Sequence, residues 1–263
     1  MNLHSSSVYG PVTSWRYGRS LGIDPIGSIS TCSFDCVYCQ LGEINRKTRD
    51  RAVYVATEKI LTDLQQVDWQ NSDIVTLSGN GEPTLALNLG EIITTISQLT
   101  EKPTLVLTNG TLLNLPEVRE ALNLASKVSV KLDGTDFDQV RRINRSVENL
   151  NWSELIEGMQ AFAEQYTGEL SMQTMVLSPW NAQTLNRYTE IVSTLTPREI
   201  QLNLPLRPKP LVHQLDGRGN HSTDGNRPYR VRKLNCVNAE VVEGIAFTIN
   251  HITNIPVRLP KLL

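Results

Sequence analysis

Cysteine is scarce in this chain: four residues in 263, three of them crowded between positions 32 and 39. A small secreted protein held by disulfides would distribute paired cysteines along its length, so that class is excluded. Aromatic residues make up only 6% of the chain, leaving no evident platform on which nucleic-acid bases would stack. Long apolar runs are missing as well; none approaches the ~20 residues that span a bilayer, so no membrane partner is expected. The opening segment MNLHSSSVYGPV has neither the basic start nor the apolar stretch of a secretory leader, and a cytoplasmic location is expected. Finally, charge of one sign is not in excess. The net value is −2, which gives no global attraction to nucleic acid.

What is present begins with an ordinary globular composition, 40% hydrophobic and 20% charged. Short apolar runs alternate with stretches of helical period. The segments 19–29, 72–79, 103–110, 126–134, 169–177 and 199–206 read as strands. Between them, 56–68, 87–99, 116–125, 151–166 and 182–195 read as helices, and 237–252 supplies a last one. Six strands separated by helices predict an α/β protein with a parallel sheet and right-handed crossovers, either a partial barrel or an open doubly wound sheet. Residues 207–235 break the alternation. They are rich in Pro, Gly, Asn and charge, and read as a long loop, disordered unless a partner orders it. From Leu204 to Cys236 the chain carries seven basic residues against two acids, a local surplus inside an acidic remainder.

The three clustered cysteines lie in STCSFDCVYCQLG, with the spacing C-x-x-x-C-x-x-C. Thiolates this close must come from one loop wrapped around a single centre. A four-iron cluster has four ligand positions, so three cysteines leave one iron open. A zinc knot or an electron-transfer cluster satisfies the same spacing if His4, His213, His221 or Cys236 supplies a fourth ligand.

With Tyr38 before the last cysteine, the motif C-x-x-x-C-x-aromatic-C resembles the signature of the radical S-adenosylmethionine (SAM) superfamily. The segments YGPVTSWRYGRSLGIDPIG, CQLG, SGNGEPTL, LTNGTLL, RRINR and IQLNLPLRP resemble a branch related to the wyosine-synthesis tRNA-modifying enzymes, over about residues 8–210. The resemblance implies a partial (βα)6 barrel over 1–210, with 211–263 as a C-terminal basic loop and helix extension packed on or beside it. It also implies a [4Fe–4S] cluster on Cys32, Cys36 and Cys39. That cluster reductively cleaves SAM, and the resulting 5′-deoxyadenosyl radical abstracts hydrogen from substrate. A reductant such as flavodoxin or ferredoxin is expected as partner.

Further site residues follow from the same resemblance. Gly79, Asn80, Gly81 and Glu82 occupy the place of a glycine-rich turn whose backbone accepts hydrogen bonds from the SAM ammonium. Tyr38 is expected to present its backbone to the adenine, and Thr108 and Asn109 to contact the methionyl carboxylate or the ribose. Lys131 and Asp133, two apart on one strand face, are the candidate catalytic residues, with an ion pair at the barrel rim as the structural alternative. Arg141, Arg142 and Arg145 read as a grip on a phosphate or substrate carboxylate, or else as a solvated helix face. With the group Arg46, Lys47, Arg49 and Arg51 and the 207–233 segment they suggest a basic rim for RNA, or else solvated loops. The chain departs from the wyosine enzymes in having no cysteine before Cys32, hence no second cluster. The substrate is expected to be an RNA or a small molecule. Two alternatives are an activase or modifier of a protein or peptide, and a non-catalytic iron–sulfur or zinc module.

Overall fold

The computed structural model describes residues 6–219 and 227–260. Eight strands form one sheet in the order of the sequence: β1 (Val8–Ser14), β2 (Gly18–Ile23), β3 (Ile74–Leu77), β4 (Thr104–Thr108), β5 (Lys127–Lys131), β6 (Glu169–Met175), β7 (Glu199–Asn203) and β8 (Val257–Arg258). Every neighbouring pair is parallel except β1 with β2, which form a hairpin. The sheet curls into a partial barrel. The helices α1 (Thr57–Leu64), α2 (Leu89–Thr100), α3 (Pro116–Leu122), α4 (Phe137–Asn144), α5 (Trp152–Gln165), α6 (Ala182–Leu195) and α7 (Ala239–Thr253) connect the strands. The six expected strands are β2 to β7. Their helix partners are where the periodicity put them, and α4 carries Arg141 and Arg142, for which a solvated helix face is one of the two expected readings.

Local chemistry explains the elements. The strand β3, IVTL, is buried at every position, as a parallel strand covered on both faces requires. Helix α2 buries Leu89, Ile92, Ile93 and Ile96 completely. Each side chain in such a stripe contributes about 1.5–3 kcal/mol. The side chains of Asp136, Asn151 and Asn181 accept backbone N–H groups at the starts of α4, α5 and α6. No helix among the described residues is long and apolar enough to cross a membrane.

Two features come from outside the alternation. The tip of the first hairpin reaches across the open side of the barrel to strands far along the chain. Tyr17 lies 3.2 Å from Ser171 and accepts a 2.7 Å hydrogen bond from Gln201, while Arg258 donates to the carbonyls of Trp15 and Arg16. The described part of the 207–235 segment is packed, contrary to the expectation of disorder. Lys209–Pro210 pairs with Val231–Arg232, and a short 3-10 turn covers Leu215–Gly219. The reason is electrostatic. Lys209 donates to Asp35 and to the carbonyl of Cys36, both at 3.0 Å, and Arg218 enters the barrel to pair with Asp24.

Candidate active site

The three cysteines lie on the loop that follows β2, and all three line one cavity of about 300 Å³ at the mouth of the barrel. The loop is stitched to the glycine turn after β3. Thr31 donates to the carbonyl of Asn80 at 3.1 Å and accepts from the N–H of Glu82 at 3.0 Å. A side chain on Gly81 would sit 1.7 Å from the Thr31 carbonyl oxygen, so only glycine permits this approach. Gly79 has φ of +136° and packs on the Asp24 carboxylate, where a Cβ would lie 2.5 Å from Cγ. Sequence position alone puts the cysteines and the turn 40 residues apart; the parallel β2–β3 pairing brings them together.

Glu82 is the hub beneath the cysteines. It is 2% exposed, and its carboxylate accepts from the Thr84 N–H and hydroxyl, from the Thr108 hydroxyl at 2.6 Å and from the Asn109 N–H at 2.7 Å. Burial pushes the carboxyl upward, and those hydrogen bonds pull against it. The Asn109 side chain in turn donates to Ser33 at 2.8 Å and to the Cys32 sulfur at 3.5 Å. Thr108 and Asn109 are therefore committed to holding the cysteine loop, although both also line the cavity. Asn80 does not line it. Its side chain bridges the Gly27 carbonyl and His213, each at 2.7 Å.

A second network lies on the other side of the cysteines. Lys131 donates to the Tyr38 hydroxyl at 2.9 Å and sits 3.8 Å from Asp133. Asp133 also accepts from the Tyr38 hydroxyl, from Asn144 at 2.7 Å and from the Met175 N–H at 2.8 Å. The expected shared face of Lys131 and Asp133 is thus realised as an ion pair. However, the Asp133 carboxylate is saturated by protein donors and does not line the cysteine cavity, whereas Lys131 does. Burial opposes the Lys131 ammonium, but the carboxylate of Asp133 and the sulfurs of Cys36 and Cys39 together outweigh it and hold the group charged. The Tyr38 side chain, not only its backbone, is part of the site.

The cysteines have the surroundings of cluster ligands. The Phe34 N–H and Asn109 point at the Cys32 sulfur, and Asn144 donates to the Cys36 sulfur at 3.3 Å. Such donors tune and stabilise cluster sulfurs. Burial disfavours ionisation of the three thiols. Burial raises all of them, and Cys36 reaches about 12. Among the described residues no three His, Cys, Asp or Glu side chains converge tightly enough for a single ion. Of the proposed fourth ligands, the two that are described do not join the cysteines. His213 is turned to Asn80 and Cys236 is exposed, while His4 and His221 lie outside the described residues. The residues present fit a four-iron cluster with one open position.

Most of the basic residues suggested as an RNA rim are engaged by the protein itself. Arg49 donates to the Thr111 carbonyl and to Asn114, and Arg51 donates to the Thr84 carbonyl and pairs with Glu117. Lys47 donates to the carbonyls of Arg145 and Ser146, and Arg145 pairs with Asp35. Several site residues escaped sequence reasoning. Asp24 carried a signal, since Asp-Pro announces an Asx turn, and its carboxylate accepts from Ile26 and Gly27. Asn144, Arg16 and Arg218 carried none, because nothing in a helix end, a hairpin tip or a polar loop indicates what it will face.

Comparisons with known proteins agree with this geometry. The Radical SAM superfamily model matches residues 26–190. A UPF0026 protein of Synechocystis sp. is 55% identical over 98% of this chain and 97% of its own length. A UPF0026 protein of Methanocaldococcus jannaschii is 34% identical over 76% of this chain and 64% of its own. Among solved structures, Streptococcus suis SuiB bound to the precursor peptide SuiA has a TM-score of 0.61 at 13% identity, covering 91% of this chain and 48% of that one. The structure of native anSMEcpe with bound AdoMet has a TM-score of 0.56 at 15% identity, covering 91% of this chain and 63% of that one. This chain therefore spans about half to two thirds of those two structures, and the likeness to them is one of fold.

Proposed function

The chain belongs to the radical SAM superfamily and, within it, to the UPF0026 proteins; on that premise we propose that it is a single-cluster enzyme acting on a small molecule, with Cys32, Cys36 and Cys39 as cluster ligands. The observation that carries the reading is the convergence of three clustered thiols, one buried and two half-buried, with sulfur-directed donors and a glycine turn on one cavity. When bound, the cluster and SAM supply one-electron cleavage of a sulfonium bond and, through it, abstraction of hydrogen from substrate. The protein's own share is placement and exclusion of water. The backbone of Gly79 and Gly81 borders the cavity closely enough to accept an ammonium group. Glu82 holds the turn, the end of β4 and the cysteine loop as one unit. Lys131 presents a charged donor to the cavity, and Asp133 positions it together with Tyr38 and Asn144.

A small-molecule substrate is favoured over RNA by the roof above the cavity. Gly217 and Arg218 of the extension line it, and the basic side chains around its mouth are spent on internal contacts. The electron enters from a reductant such as flavodoxin or ferredoxin. The deciding experiment is anaerobic reconstitution with iron and sulfide, followed by dithionite and SAM and quantification of 5′-deoxyadenosine. Product is expected from the native protein and none from Cys36→Ala, which also loses its iron. Undiminished product from that variant would sink the assignment.

A further inference from the structure

Past Tyr38, Gln40, Met175 and Asn203 the cofactor cavity continues into a side chamber of about 150 Å³, and Arg16 borders both spaces. This arginine comes from the tip of the first hairpin and is carried into the lumen by the contacts that close the barrel. Its guanidinium lies beside the rings of Trp15 and Tyr17, at 5.9 and 5.5 Å, and reaches Gln201 only at 3.5 Å. Its Nε is buried with no hydrogen-bond partner. Arg16 forms no ion pair among the described residues. Glu199, which acts on it electrostatically, is held by Arg258 at 3.3 Å and by Gln201 at 2.6 Å. Arg207 borders the same side chamber and donates to Gln40 at 3.2 Å. Among the described residues Glu82 is the one carboxylate lining either space, and both its oxygens are already engaged.

A guanidinium with a buried, unused N–H and no ion pair among the described residues is costly unless a ligand completes it. Its fork geometry suits a carboxylate or phosphate, which it grips by parallel hydrogen bonds. We infer that Arg16 is the substrate-binding residue of an oxyanion subsite, taking the phosphate or carboxylate group of the substrate in the side chamber while the rest of the molecule faces the cofactor cavity. That the anion belongs to a substrate rests on the radical SAM reading; that an anion binds here does not.

The test is calorimetric titration of the reconstituted, SAM-loaded protein with inorganic phosphate and, separately, with acetate, at constant ionic strength. One of the two is expected to bind saturably, and which one identifies the group. Arg16→Gln should weaken that binding at least tenfold while leaving SAM affinity within twofold, and Arg16→Lys should recover part of the loss, since charge remains without the fork. Absence of saturable binding in the native protein overturns the proposal, as does unchanged binding in Arg16→Gln. Loss of SAM affinity in Arg16→Gln also overturns it, because Arg16 would then serve the cofactor. If Arg16→Gln does not fold, Arg16→Lys carries the test, and anion affinity equal to native would refute the fork. Anion binding that persists in a protein making no 5′-deoxyadenosine upholds the subsite and fails only the radical reading.

Discussion

Replacing Arg218 by Met should expose how the extension is fastened. The Arg218 side chain is 7% exposed and that of Asp24 is 0% exposed, and the two meet at 2.7 Å inside the barrel. The guanidinium also donates to the carbonyls of Ser6 and Leu215 and lies 5.1 Å from the Tyr9 ring. Methionine keeps most of the stem and removes the charge, which leaves the Asp24 carboxylate buried without its partner. Removing one member of such a pair costs about 3–5 kcal/mol, or roughly a hundredfold or more in the folding equilibrium. The pH dependence has a definite sign. Burial already raises the Asp24 carboxyl, and Arg218 is the main charge opposing that rise. In the variant the folded-state value climbs further above the unfolded value, so the native state takes up a proton first. The deficit should be largest at neutral and higher pH and shrink as the pH falls through the variant's folded-state value toward the native protein's own, both of which lie above the ordinary aspartate value of ~3.9. Urea unfolding of the native and Arg218→Met proteins across that range measures it, with and without the cluster so that metal loss is separated. Trypsin should also cut faster at the basic residues of 227–233. A deficit under about 1 kcal/mol at pH 7, or one that does not change with pH, would refute the argument that this pair anchors the roof of the cavity.

Glu82→Ala leaves the donors of Thr84, Thr108 and Asn109 without an acceptor, and each buried orphan costs about 1–3 kcal/mol. Because Asn109 also braces Cys32 and Ser33, iron content should fall together with SAM affinity; full iron with only SAM binding lost would make Glu82 a cofactor contact instead. Asp63 provides a second pH signature. Despite partial burial, its hydrogen bonds from Lys59 and from the Ser7 N–H and hydroxyl hold its carboxyl below the usual range. The stability it contributes is present above the ordinary aspartate value and disappears as the pH falls through the lowered folded-state value. Asp63→Asn should therefore lower the Tm at pH 7 and have a fading effect below pH 4; an effect that grows on acidification would contradict the assignment.

The linear order of residues determined the alternation of six strands with helices, because burial on both faces and helical periodicity are local patterns that survive without tertiary contacts. It also determined the metal loop. Cys32, Cys36 and Cys39 lie within one short loop, so no folding is needed to know that they act together. The helix α4 was legible only as a solvated face for its arginines, because it is short and offers only Val140 and Asn144 to the interior amid charged neighbours. Tertiary structure alone decided which charges would be buried and against what. Asp24 and Arg218 are 194 residues apart, Asn144 and Cys36 are 108 apart, and Arg16 meets Gln201 across 185. An isolated basic residue reads the same whether it will be solvated or sealed, so the 207–235 segment resembled a disordered tail until Lys209 and Arg218 were seen inside. The same ambiguity made Arg49 and Arg51 resemble a nucleic-acid rim, although they tether one loop to another. Periodicity reports which face of an element is dry; only the folded partial barrel says which polar groups share that dry space, and there their low-dielectric pairing fixes the site.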